Sequence, residues 1–290
     1  MPDSPATPEF GRLVVVGVGL IGGSIALAAR RAGAYEEVIG VARRPESRQR
    51  ALDAGVVAHA TTDMAAAVAT ADTVVICAPV GAIAGTALAV ARACPPGCLL
   101  TDAGSTKAGI VEAIEHAIAA EQLPVAFVGS HPIAGDHRTG PEAAREDLFD
   151  GRSIVVTPTP ATPPDATLRA TRFWRSLGGE TLSLSPAEHD RLLALTSHLP
   201  HVAAAALAGV TPAEALPLTG GGWQDTTRVA AGDPALWRDI LLANRADVMA
   251  ALDTLQGGLT AFRQAVSDED PTKLLHLLAE GKDRRDAVGD

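Results

Sequence analysis

The sequence predicts an α/β protein in two parts, a parallel sheet covered by helices followed by an all-helical domain. Three observations predict it. Short, continuously apolar runs alternate with helical stretches through the first half, as expected for strands buried on both faces. The glycine run Gly17-Val18-Gly19-Leu20-Ile21-Gly22 stands between the first apolar run and the first helical stretch. After Ser185 the apolar periodicity is helical, with no convincing strand.

Taken in order, Leu13-Val14-Val15-Val16 reads as a buried strand and Ser24 to Arg31 as a helix. Further strands are expected at Val38–Val41, Thr73–Cys77 (stopped by Ala78-Pro79), Leu99–Asp102, Val125–Gly129 and Ser153–Thr157. A proline- and threonine-rich loop, Thr157 to Asp165, leads into a helix from Thr167 to Leu177 and a last strand from Glu180 to Leu184. Ser185-Pro186-Ala187-Glu188 is a capping box with proline at the first helical position. The expected boundary therefore divides residues 1–184, a dinucleotide-binding domain, from residues 185–290, a helical domain. Pro200 is expected to kink the helix it interrupts.

Composition narrows the function. A chain of 290 residues, nearly half apolar, has room for one large or two ordinary cores. A net charge of −10 argues against a nucleic-acid surface. No uninterrupted apolar run is long enough to cross a bilayer, so no membrane partner is expected. The polar, acidic start Met1-Pro2-Asp3-Ser4-Pro5 does not resemble a secretory signal, and a cytoplasmic location is expected. Cys77, Cys94 and Cys98 read as reduced structural thiols; no metal site is expected.

In its strand-to-helix setting the glycine run is the fingerprint of a Rossmann-type nucleotide site. Gly17 makes the tight turn, Gly19 lets the pyrophosphate approach, Gly22 lets the helix pack on the strand, and Leu20 and Ile21 open the helix whose N-terminus faces the phosphates. Pro79, at the end of the third strand, belongs to the same row. Where an NAD site offers an acidic residue to the ribose, this chain has Ala42, then Arg43 and Arg44, with Glu46 nearby. The arginines suit a 2′-phosphate, and a solvated loop explains them equally well. The cofactor is thus expected to be NAD(P)+, with NAD and NADP both open.

Further candidates follow later strands. Asp102-Ala103-Gly104-Ser105-Thr106-Lys107 places Ser105 and Lys107 toward the nicotinamide, although a serine before a helix also serves as a cap. His131, in the glycine-bounded loop Gly129-Ser130-His131-Pro132-Ile133-Ala134-Gly135, is a titratable group at the carboxyl edge of the sheet. Steps of four residues put His189, Ser197 and His201 on one helix face, with His198 beside them. Gly220-Gly221-Gly222-Trp223-Gln224-Asp225-Thr226-Thr227-Arg228 joins a glycine loop to an arginine suited to carboxylate binding.

These segments, together with Asp233-Pro234-Ala235-Leu236-Trp237-Arg238-Asp239, resemble in order the prephenate and arogenate dehydrogenases of tyrosine biosynthesis. The resemblance runs from Val14 to about Arg284. It implies hydride transfer from the carbinol carbon of prephenate to the nicotinamide, with loss of the ring carboxylate to give 4-hydroxyphenylpyruvate; arogenate would give tyrosine directly. It implies that His131 accepts the hydroxyl proton and that Ser105 assists at the same hydroxyl and the nicotinamide. His201 positions the substrate, with Ser197 and His198 shaping the pocket. Arg228 binds a substrate carboxylate, Asp225 orients Arg228, and Trp237 covers the site. It also implies a homodimer formed through the helical domain. Where many relatives carry a threonine and then glutamate or a small residue, this chain has Asp136-His137-Arg138, and the added positive charge, His137 included, favours a keto acid over an amino acid. The alternatives are an altered prephenate-like substrate, a 3-hydroxy acid, or a nucleotide sensor without catalysis. The 3-hydroxy-acid reading requires a helical-domain lysine, and the only ones there are Lys273 and Lys282, near the C-terminus. The sensor reading predicts loss of His131, Ser105 or Arg228, and all three are present.

Overall fold

The computed structural model describes residues 10–135 and 138–289. Its strands are β1 (Phe10–Val16), β2 (Tyr35–Val41), β3 (His59–Thr61), β4 (Thr73–Ile76), β5 (Leu99–Asp102), β6 (Ala126–Pro132), β7 (Ser153–Thr157) and β8 (Glu180–Ser183). They form one sheet in the order β3-β2-β1-β4-β5-β6-β7-β8. The unbroken apolar character of β1 has a direct cause. Leu13 and Val15 point into one core, Val14 and Val16 into the other, so both faces of the strand are buried. Helices α1 (Leu20–Ala32), α2 (Pro45–Asp53), α3 (Met64–Val68), α4 (Val80–Ala91), α5 (Ala108–Ala120) and α6 (Pro164–Ser176) cover the sheet. Because β1 lies between β2 and β4, the chain reverses its direction of travel at the carboxyl end of β1. A crevice opens at such a switch point.

Two features depart from the sequence reading. The three-residue β3 carries too little periodicity to be recognised. The sheet is also not parallel throughout, because β7 runs antiparallel to β6. Strand β6 changes partner along its length. Ala126, Phe127 and Val128 pair with β5, whereas Gly129 to Pro132 pair with β7. Gly129 sits at the handover, where a Cβ would lie 2.5 Å from Thr157 Oγ1 and 2.7 Å from Val111 Cγ2. His131 is therefore held in register opposite Val155, within a strand that outruns β5, rather than in a loop.

The remaining chain is helical: α7 (Pro186–Leu193), a π turn (Ala194–His198), α8 (Leu199–Val210), α9 (Gly221–Thr227), α10 (Pro234–Ala243), α11 (Arg245–Ser267) and α12 (Pro271–Asp286). Ser185 Oγ accepts from Glu188 N at 3.2 Å, which caps α7. The π turn precedes Pro200 and takes up the place of the expected kink, leaving one continuous helical run over Pro186–Val210. By length and composition alone this run suffices to cross a bilayer, which the polar residues within it hide from a search for apolar stretches. Those polar residues, His189, Asp190 and His198, are buried and bonded to the sheet domain and Asn244.

Candidate active site

The glycine run has the geometry of a phosphate cradle. Gly17 has φ +97°, and a Cβ there would lie 2.2 Å from Cys77 O. A Cβ at Gly22 would lie 1.9 Å from Gly17 O, so the helix packs against the turn only because position 22 is bare. Helix α1 has no side-chain cap at Gly19 and no acidic residue in its first turn. The first-turn N–H groups of Leu20, Ile21 and Gly22 thus remain available to an anion, and a Cβ built on Gly19 would face open space beyond its chain neighbours. Beside the cradle a cavity of about 570 Å³ is lined by Gly17, Ala42, Arg43, Thr62, Cys77, Ala78 and Pro79, among others. Burial, and then the Asp102 carboxylate, raise the Cys77 thiol, so it stays protonated and inert. These residues fit a dinucleotide.

His131 belongs to a chain of hydrogen bonds joining the two parts of the molecule. Its Nδ1 lies 2.8 Å from His189 Nε2, and His189 Nδ1 lies 2.7 Å from Asp190 Oδ1. Asp190 also accepts from the backbone N–H groups of Lys107 (2.7 Å) and Ala108 (2.8 Å), the first donors of α5. Burial opposes its charge, but the His189 hydrogen bond and those two N–H groups outweigh it and hold the carboxyl below its usual range. A carboxylate only accepts, so His189 carries its proton at Nδ1 and offers a lone pair at Nε2. His131 Nδ1 then donates, and among the described residues nothing bonds to His131 Nε2, which is left as an acceptor. Burial first, then the neighbouring His189, Lys107 and His198, hold His131 well below the ordinary histidine value. Its resting form is the neutral base.

A cavity of about 460 Å³ opens in front of His131, lined by Ser105, Pro132, Ile133, Leu193, Thr196, Ser197, His198, Leu236, Trp237 and Ile240, among others. His198 is buried, and burial, joined by the charge of His189 and opposed by Asp190, lowers it to about 4. Asn244 Nδ2 donates to Asp190 O (2.7 Å), a group that only accepts, and contacts His198 Nδ1 (3.1 Å). His198 Nδ1 is therefore the acceptor and Nε2 carries the proton. That Nε2 is buried without a partner among the described residues. His201 stacks on Trp237 with ring centroids 3.6 Å apart and planes 11° apart, and its buried Nδ1 also lacks a partner among the described residues.

Of the sequence-predicted residues, His131, Ser105, Ser197, His198 and Trp237 line this one cavity, and His201 contacts it through Trp237. Arg228 and Asp225 line a separate cavity of about 560 Å³ with Trp223 and Gln224. Among the described residues neither Arg228 nor Asp225 has an ion-pair partner. Gly220 to Gly222 start α9 rather than forming a loop. Asp136 and His137 lie outside the described residues. Arg43 lines the nucleotide cavity and Arg44 precedes α2. Ser105 is not a helix cap, since the cap position of α5 is Lys107 and Asp190 satisfies the helix start. Lys107 does not face the nicotinamide; it is fully buried and bonded through Nζ to Asp102. The four-residue ladder from His189 to His201 breaks at the π turn, which buries His198 and leaves Ser197 half-exposed. Sequence reasoning missed Asp190 and Asn244. The signal for Asp190 was faint: an acidic residue directly after a histidine on an apolar helix face.

Sequence comparisons agree with this geometry. The family model described as "Prephenate dehydrogenase, nucleotide-binding domain" matches residues 25–183, and "Prephenate dehydrogenase, dimerization domain" matches residues 185–280. The cyclohexadienyl dehydrogenase of Zymomonas mobilis is 35% identical over 96% of both chains. The prephenate dehydrogenase of Bacillus subtilis is 32% identical over 95% of this chain and 76% of its own. Among solved structures, prephenate dehydrogenase from A. aeolicus in complex with hydroxyphenyl propionate and NAD+ superposes with a TM-score of 0.87 at 32% identity, covering 99% of this chain and 100% of that one. Synechocystis arogenate dehydrogenase superposes with a TM-score of 0.81 at 29% identity, covering 96% and 99%. The protein belongs to the prephenate dehydrogenase family of NAD(P)+-dependent oxidoreductases.

Proposed function

We propose that the protein oxidises and decarboxylates prephenate to 4-hydroxyphenylpyruvate, with His131 as the general base. The observation that carries this reading is the oriented chain from Asp190 through His189 to His131, which leaves Nε2 of a neutral histidine free in the cavity. The nicotinamide, when bound, supplies the hydride acceptor. As the carbinol hydrogen leaves with its electron pair, Nε2 takes the hydroxyl proton and the carbinol becomes a carbonyl. The positive charge arising on His131 is shared through His189 toward Asp190. The ring carboxylate then leaves as carbon dioxide, its bonding electrons complete the aromatic ring, and the proton held at His131 is available to the phenolate. Ser105 is the second polar group at the hydroxyl. The His198 Nε2–H and Ser197 donate to substrate oxygens. Trp237, stacked on His201, forms a wall of the pocket, whereas Arg228, which lines the separate cavity, takes no part in this step.

One observation favours a keto acid over arogenate. Among the described residues lining the cavity none is Asp or Glu, so an ammonium group finds no counter-charge there. Residues 1–184 serve as the nucleotide domain and 185–290 as the substrate and dimerisation domain in this reading. A homodimer is supported by the "dimerization domain" match and by exposed apolar side chains on α10 to α12, among them Leu242, Leu259, Val266, Leu275 and Leu278. Three free thiols accord with a cytoplasmic location. The test is an assay crossing prephenate and arogenate with NAD+ and NADP+. Reduction with prephenate is expected; a clear arogenate preference overturns the substrate, and no turnover with either overturns the reaction.

A further inference from the structure

The ribose end of the nucleotide cavity differs from that of a site for an unphosphorylated dinucleotide. Strand β2 stops at Val41, and the next position, where such a site offers a carboxylate to the ribose 2′-hydroxyl, is Ala42. Ala42 is only 3% exposed, and its N–H is spent on Thr61 O at 3.0 Å. Among the described residues lining the cavity there is no Asp or Glu. The one charged lining residue is Arg43, and Thr62 adds a hydroxyl. Among the described residues neither Arg43 nor Arg44 has a side-chain hydrogen-bond or ion-pair partner, although the acidic Glu46 lies close in sequence. Arg44 occupies the cap position of α2 and contributes no side-chain cap, so the first turn of this nine-residue helix keeps unsatisfied N–H donors. Glu46 lies in that first turn but does not line the cavity. A neutral 2′-hydroxyl would leave the arginines unused and would find no acidic acceptor. A 2′-phosphate dianion would find a guanidinium, a hydroxyl and a helix start.

On the reading of the cavity as a dinucleotide site, we infer that it is built for a dinucleotide phosphorylated at the adenosine ribose, with Arg43 as the principal 2′-phosphate ligand and Arg44 as the second. The enzyme then selects NADP+ over NAD+. Arginine suits the role because its planar fork matches phosphate oxygens and stays charged at any working pH.

The experiment is calorimetric titration of the full chain with 2′,5′-ADP, 5′-AMP, NADP+ and NAD+, which reads binding without turnover. The inference expects 2′,5′-ADP to bind at least about tenfold more tightly than 5′-AMP, the scale of one charge-assisted contact. Arg43→Ala should bring 2′,5′-ADP most of the way down to the affinity of 5′-AMP, Arg43→Ala with Arg44→Ala the rest, and Ala42→Asp should invert the order. Higher salt should narrow the difference. Equal affinities, or tighter binding of 5′-AMP and NAD+, would overturn the 2′-phosphate assignment and leave the dinucleotide site intact. Absence of binding by all four ligands would overturn the nucleotide site itself.

Discussion

The imidazoles of His131 and His189 meet at 2.8 Å, one from a sheet strand and the other from the first helix of the helical part. The contact ties the orientation of the base to the docking of the two parts. Asp190 completes the tie, because the carboxylate that orients His189 also receives the first two N–H groups of α5.

Substituting His189 should therefore weaken catalysis without weakening nucleotide binding. His189→Ala removes the acceptor that keeps the His131 proton on Nδ1, and kcat is expected to fall by about 10- to 100-fold, the range for losing a hydrogen bond that orients a functional imidazole. The nucleotide Kd, read by titration, should stay within about twofold. A KM change with kcat intact would assign His189 to packing alone.

Activity should persist to lower pH than an ordinary histidine base allows. The base must be neutral, and burial with nearby positive charge holds His131 well below about 6.5. On lowering the pH, kcat/KM should stay flat through neutrality and decline only below the usual histidine range. Lys107→Met removes one of the opposing charges, and where the variant folds the acid limb should move toward higher pH. A limb centred near 6.5 in the parent enzyme would contradict the environment described for His131.

Stability should depend on pH in the same direction. His198 titrates at about 4 in the folded protein and near 6.5 when unfolded. Between these values the unfolded chain binds the extra proton, so stability rises with pH across that window and levels off above it. The contribution is on the order of 3 kcal/mol. Denaturant melts across the window check it, and His198→Gln should flatten the slope.

The buried Asp102–Lys107 pair sits beneath the site, and Asp102 also accepts from the backbone N–H groups of Gly104 and Ser130. Lys107→Ala leaves that carboxylate buried with no ionic partner and should cost about 3–5 kcal/mol of stability, measured by denaturant unfolding. Asp102→Asn together with Lys107→Met should recover part of the loss.

Stacking of His201 on Trp237 should be felt in substrate affinity. Trp237→Ala opens the cavity wall and frees the His201 ring, so KM is expected to rise by about tenfold, with a smaller effect on kcat. The Gly232 position tests the same contact, since a Cβ there would lie 2.6 Å from Trp237 Nε1.

The sheet was legible because buried strands advertise themselves as apolar runs, and Gly17 and Gly22 because their backbone geometry admits no side chain. Ser105 was legible as a polar residue just past the end of β5, and His131 as a polar residue at the carboxyl edge of the sheet, although β6 extends through it. Other features were not, for physical reasons. The antiparallel β7 has the same apolar content as a parallel strand, so direction leaves no mark on composition. Lys107 reads as a site residue by position, yet its charge is spent on Asp102 five residues earlier. The π turn shifts the helix register by one residue, which a fixed four-residue step cannot anticipate. Asp190 and Asn244 act across 82 and 46 residues of chain, on Ala108 and His198, and such long-range partners have no local pattern.

The most direct test of the account is the turnover of His131→Asn with prephenate, measured beside its nucleotide Kd. A fall of at least about 10²-fold in kcat with nucleotide binding retained is expected, since the amide cannot take the hydroxyl proton. Turnover within a few-fold of the parent enzyme would contradict it and move the proton acceptor elsewhere in the cavity.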